Sequence, residues 1–229
     1  MIDTGALPKE FGHVRLPSGP LRGVEMWLAS SRHSPSGDIS VLDVEERRRA
    51  EGFRRASDRN VYITAHSALR SLIGAYLGRD PAALRFRREN CPGCGGKHGR
   101  PALAGEAGSL HFSLSHSADL ALIAFALTPV GTDIEAVPGA ETTSEASTAL
   151  HPDEQRELSH LPDRERPFAF ARCWTRKEAY VKGTGEGVAG PGFAATIVGS
   201  GERPLPLPGW TLIDVRVPKG FAAACAVRR

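Results

Sequence analysis

Long apolar runs are missing from this 229-residue chain: none approaches the roughly 20 residues that a membrane-spanning helix needs. The N-terminal stretch MIDTGALPKEFGHV has no charged-then-apolar layout of a secretory leader, so the expectation is a cytoplasmic protein without membrane contact. Cysteine is scarce. The four residues fall as one close pair, Cys91 and Cys94, and two single thiols in apolar surroundings, Cys173 and Cys225, which is no disulfide framework. Aromatic residues make up 7% and do not interleave with the arginines, which gives a base-stacking surface little support, and the expectation is no nucleic-acid partner. No G-x-S-x-G elbow surrounds the serines of FSLSHS, so a hydrolase triad has no support, and no internal repeat divides the chain.

What is present is ordinary for a globular protein: 41% hydrophobic and 24% charged residues, enough for one large domain or two small ones. The net charge is only +3, but residues 43–100 hold 13 Lys or Arg against 7 Asp or Glu, densest in ERRRAEGFRRASDR. Such a region is either a solvated helix face or a surface that attracts phosphates, nucleic acid or an acidic protein.

The chain reads as strand (24–30), charged helix (43–56), then a better-defined helix over 60–78. In that helix Val61, Ala65, Leu69, Leu72, Ile73 and Tyr76 recur at helical spacing and Gly78 offers a stop. LRFRREN alternates like a strand, CPGCGGKHGRPAL is a turn-rich loop, and LHFSLSHS, LALIAFAL and VGTDIEAV read as consecutive strands. Residues 138–147 are small and polar and are expected to form a loop. A helix near 152–161, a second helix through CWTRKEAYVKG, and closing strands in GFAATIVG, GWTLIDVRV and FAAACAVRR complete the order. Helices followed by a small sheet, twice over, predict a two-lobed α+β protein with lobes 1–128 and 129–229.

On a helical wheel Phe170, Trp174 and Val181 form one stripe of the CWTRKEAYVKG helix, while Arg172, Arg176 and Ala179 point away. Lys177 falls inside the stripe, and Glu178 and Lys182 lie at its edge one turn apart. They form either a surface i,i+4 pair or charges that need a buried partner. GTDIEAV supplies one, because Asp133 and Glu135 share one side of a strand. With Glu178 alongside, three carboxylates and no soft ligand describe a Mg²⁺ site that keeps waters for phosphate oxygens, with Lys177 and Lys182 neutralising those phosphates. Ser115 and His116 end the preceding strand, where His116 either caps the structure or donates to a phosphate. Arg100, before Pro101, presents a cation on a stiff turn. CPGCGGKH offers Cys91, Cys94 and His98 as ligands; a structural zinc centre takes four, and no second pair exists, so the expectation is a loop with incidental thiols.

GRPAL, FSLSHS, GTDIE and WTRKEAYVKGTGEG, in this order between about Val41 and Val188, together resemble the 4′-phosphopantetheinyl transferases of the Sfp type, the branch with W-x-x-K-E-A. The resemblance implies two similar α+β lobes related by a pseudo-twofold, in a monomer, with coenzyme A and Mg²⁺ in the cleft. It implies transfer of phosphopantetheine from coenzyme A to a serine of an apo acyl or peptidyl carrier protein of fatty acid, polyketide or nonribosomal peptide synthesis. By the same resemblance Asp133, Glu135 and Glu178 are the metal ligands, Glu178 takes the serine proton, and Lys182 binds the pyrophosphate. Ser115, His116 and Arg100 contact the adenylate and 3′-phosphate, with Arg49 and Arg88 as further coenzyme contacts, and Glu154 in HPDEQ is an acidic residue near the active site. Carrier proteins present acidic helices, which would suit the basic N-terminal half. The CPGCGGKH insertion departs from the family pattern. A zinc-containing interaction or nucleic-acid module built on it is the alternative from another class, and a coenzyme A binding protein without transfer activity is a third, against which the intact acidic triad and Lys182 argue.

Overall fold

The computed structural model describes residues 8–12, 21, 23–32, 38–105, 110–187 and 190–229; most of the N-terminal stretch read against a leader lies outside them. Among them no helix is long and apolar enough to cross a membrane. The chain is a mixed α and β protein. Its first sheet runs β1 (Lys9–Glu10), β2 (Glu25–Ser30), β6 (Leu120–Ala126), β5 (His111–Ser117), antiparallel except for β1 beside β2. A second runs β7 (Val130–Ala136), β9 (Phe221–Arg228), β8 (Trp210–Asp214), all antiparallel. A short hairpin pairs β3 (Phe86–Arg88) with β4 (Pro101–Leu103).

Every residue of β6 is buried, as an uninterrupted apolar strand requires when both faces are covered. Ala121, Ile123 and Phe125 pack with Trp27 and the apolar side of α2 (Ala56–Leu77). Leu120, Leu122, Ala124 and Ala126 pack instead with Val130, Ile134, Ala223, Cys225 and Val227, so the two sheets meet through a shared core. Helix α5 (Arg166–Thr184) covers the other face of the second sheet, against Ala224, Ala226 and Trp210.

Helix α2 follows its apolar periodicity and stops at Gly78, whose φ of +63° suits glycine. Helix α1 (Val44–Glu51) is almost wholly charged and rests on its cap: Asp43 accepts from Glu46 N while Glu46 accepts from Asp43 N. Both carboxylates also take Arg70, a fully buried guanidinium, at 2.6 Å.

Three expectations are corrected. Residues 138–147 are not all loop: Ala140–Ser147 form α3, with Thr143 buried and Ala146 packed on the second core. GFAATIVG is no strand. Its first residues belong to α6 (Pro191–Ala195), begun by a proline at the helix start, and the carbonyls of Phe193 and Thr196 are taken by Lys177 Nζ rather than by a ladder. Nor do Arg176 and Ala179 point to solvent. α5 is enclosed by β7 and β9 on one side and α3, α4 (Pro152–Ser159) and α6 on the other; Arg176 is fully buried in a fork to Asp214, at 2.8 and 2.5 Å.

Candidate active site

Strand β7 and helix α5 approach so closely that a Cβ on Gly131 would stand 2.0 Å from Ala179 O and 2.3 Å from Gly183 N. A Cβ on Gly183 would in turn meet the Trp210 ring at 2.7 Å. The glycines that follow the charged turn of α5 therefore have two uses: Gly183 permits contact and Gly185, at φ +86°, ends the helix.

This approach sets the next turn of β7 beside the charged edge of α5. Asp133 is 1% exposed; its Oδ1 accepts from Lys182 Nζ at 2.6 Å and from Ser115 Oγ at 2.7 Å. Its Oδ2 is buried and has no hydrogen-bond partner among the described residues. Glu135 accepts from Ser117 Oγ at 2.9 Å, and its carboxyl is pushed up, first by burial and then by Asp133. Glu178, one helical turn before Lys182, is pushed up to about 7, by burial first and then by the charges of Asp133 and Glu135, with Lys182 opposing. Three carboxylates against one ammonium leave the cluster short of positive charge.

The missing charge fits a hard divalent cation. An orphaned carboxylate oxygen in a buried position costs free energy that a cation removes, and all-oxygen donors suit Mg²⁺. Mg²⁺ keeps several of its waters, so the three carboxylates would not need to close tightly around it.

Beside the cluster, and reached by Lys182, opens a cleft of about 1090 Å³. Its walls carry Arg49, Arg88, Arg100, His66, His116 and Tyr62, among others. His116 stands exposed in it, and its ring is held below the usual histidine range by partial burial, then by His66, Lys182 and Arg49. A concave wall of cations attracts polyanions.

The sequence model described as "4'-phosphopantetheinyl transferase superfamily" matches residues 129–204, the segment that holds β7 and α5. The chain is 34% identical over 196 residues to the 4'-phosphopantetheinyl transferase HetI of Nostoc sp., covering 82% of this chain and 79% of HetI. It is 29% identical over 169 residues to the transferase psf-1 of Bacillus pumilus, covering 73% and 69% of the two chains. With Sfp of Bacillus subtilis it shares 23% over 188 residues, 81% and 80% of the two chains. The chain belongs to the 4′-phosphopantetheinyl transferase superfamily. This is a family of enzymes, as the resemblance of the four motifs implies.

Within this transferase the structure brings Asp133, Glu135, Glu178 and Lys182 together and lines the cleft with Arg49, Arg88, Arg100 and His116. It separates Ser115 from His116. Alternation on β5 turns Phe112, Leu114 and His116 toward the α2 core and the cleft, while the hydroxyls of Ser113, which also borders the cleft, Ser115 and Ser117 reach β7. Ser115 thus orients Asp133 instead of facing the cleft. Ser113 Oγ accepts from Thr132 N at 3.0 Å and Ser117 Oγ from Ala136 N at 3.1 Å, so the three serines join β5 to β7 in place of a backbone ladder. Sequence reasoning passed over Ser113 and Ser117, although the S-x-S-x-S alternation was the available signal.

Lys177 is a correction. It is fully buried, 2.7 Å from the equally buried Glu154, and donates to the carbonyls of Phe193 and Thr196. It faces the core, away from the cleft, because positions 177 and 178 of a helix lie about 100° apart. Glu154 is likewise spent in the core, accepting from Val198 N and Gly199 N at 2.8 and 3.2 Å. Arg100 lies at the cleft but is engaged there, donating to Glu89 at 2.9 Å and to Gly183 O at 3.1 Å, where it satisfies an end carbonyl of α5. Also overlooked were His66 and Tyr62, stacked with ring centroids 4.1 Å apart on one face of α2, with His66 Nδ1 3.1 Å from Glu46.

Proposed function

We propose that this transferase moves 4′-phosphopantetheine from coenzyme A to a serine hydroxyl of an apo acyl or peptidyl carrier protein and releases 3′,5′-adenosine bisphosphate. The carriers would be those of fatty acid, polyketide or nonribosomal peptide synthesis. The observation that carries the reading is Asp133: a buried carboxylate with one oxygen held by Lys182 and Ser115 and the other without a partner, beside Glu135 and Glu178 at the mouth of a cationic cleft.

In this reading residues 1–128 and 129–229 act as two lobes related by a pseudo-twofold, in a cytoplasmic monomer, and the cleft receives the nucleotide half of coenzyme A. Arg49, Arg88, Arg100 and His116 bind its phosphates and adenylate. Mg²⁺ held by Asp133, Glu135 and Glu178 would neutralise the pyrophosphate and make its phosphorus more electrophilic. Glu178 would take the proton of the carrier serine, directly or through a water. As the serine oxygen bonds to the phosphorus that bears pantetheine, the bond from that phosphorus to the oxygen of the adenosine bisphosphate breaks. Lys182 neutralises the departing phosphate, and Ser115 and Ser117 hold the carboxylates in place.

The test is intact-mass spectrometry of apo carrier proteins incubated with this protein, coenzyme A and Mg²⁺, with and without EDTA. A gain equal to one phosphopantetheine group, lost with EDTA, is expected. No gain on carriers of all three classes by a folded enzyme overturns the reading.

A further inference from the structure

The CPGCGGKH loop joins β3 to β4, beside the cleft, and the transfer chemistry makes no use of it. The fold nevertheless draws it into a knot of ligands. Cys91 Sγ, Cys94 Sγ and a ring nitrogen of His98 all lie within 4.8 Å of one another, and Cys94 Sγ is 3.0 Å from His98 Nε2. A tetrahedral zinc ion with ordinary bonds of about 2.3 Å to sulfur and about 2.0 Å to nitrogen sets its ligands about 3.5–3.8 Å apart. The three atoms therefore stand within about 1 Å of the required spacing with no rearrangement of the backbone.

The backbone is shaped for this convergence. Gly95 N donates to Cys91 O at 2.8 Å, Cys91 N to Gly96 O at 2.7 Å and His98 N to Gly96 O at 2.9 Å, which close two tight turns around the thiols. A Cβ on Gly96 would meet His98 Cδ2 at 2.9 Å, His98 Nε2 at 3.2 Å and Cys94 Sγ at 3.3 Å. Only glycine leaves room there for both side chains to fold inward. Gly95 takes φ +75°, and a Cβ on Gly99 would strike Glu89 O at 2.7 Å.

We propose that Cys91, Cys94 and His98 bind one zinc ion, a soft-ligand site separate from the carboxylate cluster. Cys91 is buried while Cys94 and His98 are exposed, so the fourth position faces solvent and takes water. Binding releases the two thiol protons, and the imidazole ligates in its neutral form. The three-ligand count that argued against zinc in the sequence does not exclude it, because a site with one open position needs only three protein ligands. The ion is a clip. Gly99 and Arg100 follow His98 directly, and Arg100 reaches the end of α5 at Gly183, while Cys91 Sγ lies 4.0 Å from Glu186 O. Fixing the loop fixes that edge of the cleft.

The test reads metal rather than transfer, so it stands whether or not the proposed reaction does. The full-length, reduced, metal-stripped chain is titrated with Zn²⁺ and, in parallel, with Co²⁺, whose thiolate charge-transfer bands report sulfur ligands. About one equivalent of zinc per chain is expected, with cobalt bands characteristic of two thiolates, and slower hydrogen exchange over residues 93–99. Cys94→Ser and His98→Ala, both at exposed positions that leave the core intact, should each lower affinity at least about 10-fold, and Asp133→Asn should not. No uptake by the reduced chain, uptake unchanged in both variants, or uptake lost only in Asp133→Asn each overturn the site.

Discussion

Lys182 and Asp133 form a 2.6 Å ion pair that uses one oxygen of a carboxylate whose second oxygen is buried and unpaired. The lysine balances one charge of a cluster that holds three carboxylates.

Asp133→Asn removes the charge while keeping the shape. The parent protein should gain thermal stability on addition of Mg²⁺, since a ligand that binds only the folded state stabilises it. The variant should show no such shift and should lose on the order of 10²-fold or more in kcat. An unchanged Mg²⁺ shift measured by differential scanning fluorimetry would place the metal elsewhere.

Glu178 makes the metal-free protein sensitive to pH in a definite direction. Its carboxyl titrates near 7 when folded and near 4.5 when unfolded, so between these values the folded state holds the extra proton. Stability then falls as pH rises from 4.5 through 7, by no more than about 3 kcal/mol after allowance for its partial exposure. Glu178→Gln should flatten that slope in urea titrations at pH 5 and pH 8, and should cut transfer by about 10²-fold or more.

The Lys177–Glu154 pair is wholly desolvated, so breaking it strands a charge. Lys177→Met should cost about 3–5 kcal/mol, and adding Glu154→Gln should recover part of the loss. The fraction that remains folded should keep the parent KM for coenzyme A. A rise in KM without loss of stability would return Lys177 to the cleft.

Gly131→Ala should be severe, because the new methyl overlaps the backbone of α5 and must push β7, and with it Asp133, away from Glu178 and Lys182. Several kcal/mol of stability should go, with loss of activity. Gly139→Ala, where a Cβ meets nothing within 4 Å, is the control and should stay within about 1 kcal/mol.

Arg100→Ala removes both a cleft cation and the partner of Gly183 O. The expected outcome is a KM for coenzyme A raised about 10-fold with a smaller change in kcat. Steady-state kinetics at fixed carrier concentration check it, and an unchanged KM would place the nucleotide away from Arg100.

The apolar period of α2, the unbroken apolar run of β6 and the paired carboxylates of β7 are local patterns, and the sequence determines them because each side chain's partition depends on spacing alone. The set of motifs determines the family. Which face of α5 each charge meets is another matter. A helix with one exposed side would have sent Arg176 outward; enclosed by a sheet and three helices, α5 buries Arg176 and Lys177 against Asp214 and Glu154, residues 38 and 23 positions away. The same distance in sequence hides the role of GFAATIVG, whose carbonyls serve Lys177, and that of Ser115, whose alternation is legible but whose neighbour is not. Cys91, Cys94 and His98 show the limit most plainly: their spacing is in the sequence, and their convergence within 4.8 Å is a product of glycine turns that only the folded backbone closes.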